Sequence, residues 1–212
     1  MLARINLGMA VVMAGVVFLA VVVDRERASS LPEPTGERAP AGLAKYYKQK
    51  VDWSSCRGGL CGTIRVPLEY VDPHGDTVGL NVKMRPADDA PTRRMLFVNP
   101  GGPGGSAFEY ADGFAGEARP EIRADLGIVG VDPRGVGTSE AIECFTKTEL
   151  DRFLDVDSSP DNPSEADDLR AAFAGLGAAC VENTGDLIAN MSTEEAARDL
   201  DIVRAVLGQD EI

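Results

Sequence analysis

Histidine is nearly absent from this 212-residue chain. His74 is the only one, and it sits in Pro73-His74-Gly75-Asp76, a turn composition. No Cys-x2-Cys pair accompanies it. These gaps argue against a zinc site, which needs clustered Cys and His ligands, and no metal is expected. Positive charge is also scarce. Asp and Glu outnumber Lys and Arg by 34 to 21, the formal net charge is −13, and the basic residues form no cluster. That balance argues against nucleic acid as a partner, because tracking a phosphate backbone requires a basic surface.

What is present begins with MLARINLGMAVVMAGVVFLAVVV. Arg4 precedes an uncharged stretch from Ile5 to Val23, the layout of an export signal or a short membrane anchor. Residues 1–23 therefore read as targeting rather than fold. A small-x-small cleavage site is missing and Asp24, Arg25, Glu26 and Arg27 follow at once, so a cleaved signal and a retained anchor both stay open. Either places the protein outside the cell or on the outer face of its membrane. Residues 24–44 are polar and rich in Pro and Gly, which predicts a flexible linker with folding from about Lys45.

Four cysteines agree with export. Cys56 and Cys61 bracket a short Arg-Gly-Gly-Leu loop, while Cys144 and Cys180 flank a long acidic segment. An even count in an oxidising compartment favours disulfides, and of the three connectivities the local one, Cys56 with Cys61 and Cys144 with Cys180, is preferred.

Strand-like runs occupy Gly62 to Tyr70, Val78 to Arg85, Met95 to Asn99 and Ile128 to Asp132. The first two alternate apolar and polar residues, as half-exposed strands do; the last two are continuous apolar runs, as strands buried on both faces are. Between them, Ser106 to Arg123 leaves room for one short helix. The pattern predicts an α/β fold whose sheet turns parallel after an antiparallel start. Residues 155–168 read as a solvated loop, and 140–190 as a cap or insertion. Ser-Thr-Glu-Glu at Ser192 makes a capping box for a helix with Ala196, Leu200, Val203 and Leu207 on one face and Gly208 as its stop.

The most informative stretch is Phe97 to Ser106, FVNPGGPGGS, behind an apolar strand. A Gly-rich turn in that place can hold phosphate, bind a dinucleotide, or aim backbone N–H groups at a developing oxyanion. A phosphate loop wants Gly-Lys-Ser/Thr, and the chain has Gly104-Gly105-Ser106-Ala107. A dinucleotide fingerprint wants a third glycine after Gly102 and Gly104, where Ala107 stands. The oxyanion use remains, and no cofactor is expected.

A second turn, Gly130 to Ser139 (GVDPRGVGTS), closes the next strand. Taken together, Asn99-Pro100-Gly101-Gly102-Pro103-Gly104 and Asp132-Pro133-Arg134-Gly135-Val136-Gly137-Thr138-Ser139 resemble the α/β-hydrolase fold, specifically the proline iminopeptidase and tripeptidyl aminopeptidase group of serine peptidases. The likeness runs from about Trp53 to Leu207. It implies the N-terminal part of a mostly parallel sheet, incomplete in this chain, with Gly102 donating to the oxyanion and Gly101 beside it shaping the turn. Asp132 and Arg134 are expected to brace the loops by pairing with each other or with their neighbours. Pro100, where many relatives have His, favours the tripeptidyl branch, which acts on peptides with free N-termini.

The triad itself is not legible. The group's nucleophile lies in Gly-x-Ser-x-Gly, and Ser106 and Ser139 both fail at the second glycine. His74 precedes the oxyanion turn, where the resemblance has no general base. Nucleophile, acid and histidine are therefore expected beyond Ile212, and the 212 residues alone are expected to be inactive. An esterase of the same fold and a non-catalytic extracellular binding domain are the alternatives.

Overall fold

The computed structural model describes residues 33–89 and 93–212. The predicted targeting stretch 1–23 and residues 24–32 of the predicted linker lie outside them. Among the described residues, no helix is long and apolar enough to cross a membrane.

Five strands form one sheet: β1 (Ser54–Cys56), β2 (Gly59–Pro67), β3 (Thr77–Arg85), β4 (Arg94–Val98) and β5 (Leu126–Val131), in the order β1-β2-β3-β5-β4. β1–β2, β2–β3 and β3–β5 pair antiparallel, and only β4–β5 is parallel. The described sheet is thus mixed, with its parallel part confined to one pair, rather than mostly parallel as expected. The parallel pair is a β-α-β unit. β4 leads through α2 (Ala107–Glu117) and α3 (Pro120–Asp125) into β5. Two helices stand where one was expected, because Pro120 starts a new helix and pushes the residue before it into extended backbone.

Alternation in β2 does what its sequence dictates: Ile64 and Val66 are buried while Thr63 and Arg65 point out. β5 is buried over Gly127–Val131, as its continuous apolar run requires. β4 departs from expectation. Met95 to Val98 are only half-buried, because among the described strands β4 pairs with β5 alone. The Gln209 amide caps its other edge, accepting from Met95 N at 3.1 Å and donating to Arg93 O at 3.1 Å.

Helices cover both faces. On one side α1 (Ala44–Tyr47) and α6 (Thr193–Val206) place Tyr46, Tyr47, Ile202, Val203 and Val206 against Ile64, Leu80, Met84 and Val129. On the other, Ala111 and Ala115 of α2 sit on Ile128, close enough that a side chain at Gly130 would collide with the Ala107 carbonyl. Full burial of each Ile or Val contributes about 1.5–3 kcal/mol, so α6 is a principal source of stability.

The expected apolar face of α6 is rotated. Leu200 is exposed, whereas Asp199 and Arg204 join Ile202, Val203 and Val206 on the buried side. The Ser192–Glu195 capping box forms as read, and Gly208 takes φ 69° after the helix. Residues 33–44 also differ from a flexible linker. Thr35 N donates to Ala205 O at 2.9 Å, Glu37 pairs with Arg204 at 2.7 Å, and Leu43 is buried. The Pro and Gly content of this stretch permits an extended strap as readily as a loose tether.

The segment 140–190, expected as a cap or insertion and called the insertion below, holds α4 (Lys147–Leu154), α5 (Pro163–Thr184) and a 3-10 turn, Gly185–Asn190. The solvated loop expected at 155–168 is shorter, since Pro163 opens a 22-residue helix capped by Asn162. Disulfides join Cys56 to Cys61 and Cys144 to Cys180. The first closes a hairpin whose turn is only Arg57-Gly58, with Gly59 and Leu60 already in β2.

Candidate active site

Both glycine-rich turns lie at the C-terminal ends of β4 and β5, the parallel pair, so they are neighbours at one edge of the sheet. This is where open α/β sheets place their ligand sites.

Residues 99–104 are exposed. Asn99 Oδ1 accepts from Gly101 N at 2.7 Å, and Gly105 N donates to Gly101 O at 3.1 Å. Gly101, expected beside Gly102 to shape the turn, has its N–H engaged within it. The Gly102 N–H donates no hydrogen bond among the described residues. Gly102 takes φ 130°, and a Cβ there would meet Gly105 N at 3.1 Å and Gly104 N at 3.2 Å. Only glycine fits that backbone without strain. The turn feeds into α2 through Ser106, the helix cap, whose Oγ accepts from Glu109 N at 3.1 Å.

Asp132 and Arg134 do not pair with each other. Each braces a different set of loops. Asp132 is fully buried and forms no ion pair among the described residues. Its carboxylate accepts from Ser106 Oγ (2.9 and 3.0 Å), Phe108 N (2.9 Å), Thr138 N (2.8 Å) and Thr138 Oγ1 (2.9 Å). One side chain thus ties the exit of the first glycine turn to the far side of the second. Gly137 makes room for it: a Cβ at that residue would collide with the Asp132 carboxylate.

Arg134 is 2% exposed and uses every N–H. Nε and Nη2 form a two-pronged pair with Asp199 of α6, both at 2.7 Å. Nη1 donates to Leu68 O (2.9 Å) and Asn190 O (2.8 Å), and Nη2 to Pro67 O (2.9 Å). Tyr70 adds its hydroxyl to Asp199 at 2.7 Å. Burial works against the charge on Arg134, yet the hydrogen bonds to Asp199 hold the guanidinium above its ordinary value. Burial likewise pushes the Asp199 carboxyl up, against the pull of Arg134 and Tyr70. Arg134 therefore joins the end of β2, the return of the insertion and α6 into one knot.

Sequence reasoning named Asp132 and Arg134 but not their partners. Ser106 and Thr138 carried a faint signal as hydroxyls next to glycine turns. Asp199 carried none, because it lies where helical periodicity alone gives no reason to bury a carboxylate. His74 is exposed in the β2–β3 turn, its backbone N–H donating to Asp72 Oδ1 (3.3 Å).

No family model matches the chain. Curated proteins do. Serine protease Hip1 of Mycobacterium tuberculosis is 34% identical over 179 residues, 77% of this chain and 34% of that protein. Tripeptidyl aminopeptidase of Streptomyces lividans is 29% identical over 182 residues, 81% of this chain and 34% of the relative. Carboxylesterase B of M. tuberculosis is 33% identical over 190 residues, covering 84% and 36%. The chain spans about a third of the length of the curated relatives it matches. With the mixed α/β sheet that carries the two turns, these matches make the chain homologous to about a third of serine protease Hip1 and of tripeptidyl aminopeptidase.

Proposed function

We propose that these residues are the oxyanion-bearing part of an exported serine peptidase that removes short peptides from free N-termini. The observation that carries the reading is the exposed Asn99–Gly104 turn, with its unengaged Gly102 N–H, beside the Asp132 clamp. When a serine Oγ attacks a peptide carbonyl, negative charge develops on the oxygen, and a fixed backbone donor stabilises it where no side chain obstructs the approach. Gly102 supplies that donor. The collapsing tetrahedral intermediate expels the amine, which takes a proton from a histidine, and water then hydrolyses the acyl-enzyme.

The nucleophile, acid and histidine would come from outside these 212 residues, which hold no Gly-x-Ser-x-Gly and one exposed histidine. On this reading the 212 residues alone are expected to be inactive. Export by residues 1–23 accords with the two disulfides. Hydrolysis of a tripeptidyl anilide by the natural gene product that carries these residues tests the assignment. Turnover that is blocked by a serine-directed phosphonate supports it, and its absence overturns it.

The similarity to carboxylesterase B supports a second reading, an esterase using the same turn. The two separate on substrate: faster cleavage of short acyl esters with no cleavage of the anilide would select the esterase.

A further inference from the structure

The insertion carries a surface that the proposed chemistry does not use. α4 and α5 contribute no buried residue, and α5 packs on the Gly185–Asn190 turn rather than on the sheet. The pair is nevertheless held in shape. The Cys144–Cys180 disulfide closes it, Asn183 Nδ2 donates to Cys144 O at 2.8 Å, and Phe153 meets Phe173 edge to face at 5.2 Å. Large apolar side chains stay in water on this rigid unit: Leu150 at 44%, Leu154 at 67% and Phe173 at 57% exposure. Leu150 and Leu154 are one helical turn apart and form a ridge. Asp151 and Asp155, in the row that begins at Lys147, form the adjacent ridge, both exposed and neither in an ion pair among the described residues.

Negative charge predominates around this ridge, with Lys147 and Arg152 the basic residues on α4 itself. Between residues 140 and 190 there are twelve acidic residues and three basic ones, so most of the chain's net −13 lies on the insertion. A ridge of leucines beside a ridge of carboxylates repels a second copy of itself and repels anionic lipid. It complements a helix with an apolar stripe flanked by Lys or Arg. We propose that the α4–α5 unit is a docking surface for a basic amphipathic helix of another polypeptide, gripping it through Leu150, Leu154 and Phe173 and orienting it through Asp151 and Asp155. The inference stands apart from the peptidase reading, since no part of it involves the glycine turns.

The probe is a synthetic 15-residue helix of Leu and Lys, with Leu at i, i+3, i+4 and i+7, titrated calorimetrically into the full chain. A second peptide carries Glu in place of every Lys. Saturable binding of the Lys peptide, at least tenfold weaker for the Leu154→Ser protein and for the Asp151→Asn/Asp155→Asn protein, and weakened by raising salt from 50 to 500 mM, is the expected result. Unchanged circular dichroism of both variants shows that the fold is kept, and their substituted side chains are exposed. Failure of the Lys peptide to bind, equal binding of the Glu peptide, or affinity that neither variant alters would overturn the proposal. So would dimerisation of the chain through the same leucines, or its binding to phosphatidylglycerol vesicles.

Discussion

Replacing Asp132 by Ala removes the acceptor for Ser106 Oγ, Phe108 N, Thr138 N and Thr138 Oγ1 in a site with no access to water. Hydrogen bonds to a charged group contribute about 1.5–3 kcal/mol each. The four are not additive, because two come from one threonine and Ser106 retains its contact with Glu109 N. Breaking a buried charged network costs about 3–5 kcal/mol, and that is the destabilisation expected from urea unfolding followed by circular dichroism. Against a domain stability of about 5–15 kcal/mol, the variant stays folded but is weakened. The loss has an address. Amide exchange should accelerate in 101–108 and 136–139, the two loops that the carboxylate joins, before it does in β2 or β3. Asp132→Asn separates charge from shape: its NH2 replaces one carboxylate oxygen and so faces either the Phe108 N–H on the Oδ1 side or the Thr138 N–H on the Oδ2 side, and it too should cost about 2 kcal/mol or more. A cost below about 1 kcal/mol for the Ala variant, or unchanged exchange in 101–108, would refute the clamp.

Arg134→Met strands the Asp199 carboxylate in the core and frees the carbonyls of Pro67, Leu68 and Asn190. A loss of about 3–5 kcal/mol in urea unfolding is expected, whereas the double change with Asp199→Leu should recover part of it. Removing Cys144 and Cys180 as Ala opens a loop with a separation of 36 residues, worth up to about 4 kcal/mol by chain entropy. Limited proteolysis should then cut within 141–189 while the sheet stays protected. The Arg204 hydrogen bond holds the Glu37 carboxyl below its ordinary 4.5. Its contribution is present above that pH and is lost as pH falls through the depressed folded value. Glu37→Gln should therefore flatten the acid limb of a stability–pH curve, most visibly below pH 4.5.

How far the sequence went depended on the range of the interactions. The runs near 62–70, 78–85, 95–99 and 128–132 reveal β2 to β5 because alternation and continuous apolarity are local. The glycine turns were equally plain, since Gly102 and Gly137 answer to backbone angle and close approach within a few residues. β1 and α1, with three and four residues, are too short to show a period. The rotation of α6 was hidden because it depends on Arg134, 65 residues away in sequence, reaching Asp199. Residues 33–44 looked like a tether because their composition is polar, and what fixes them is Arg204 and the Ala205 carbonyl on a helix more than 160 residues later. α5 had a readable start at Asn162-Pro163 with Glu165 behind it, obscured by the acidic run around it.

Kinetics of Gly102→Ala in the natural gene product test whether the Gly102 N–H stabilises an oxyanion. At φ 130°, with Gly105 N and Gly104 N at 3.1 and 3.2 Å from the new Cβ, the substitution must move the donor. Loss of one such donor is worth about 2.7–4 kcal/mol, so kcat on a tripeptidyl anilide should fall by about 10²–10³ with KM little changed. Activity within tenfold of the parent, with the fold intact, would show that Gly102 is not an oxyanion donor.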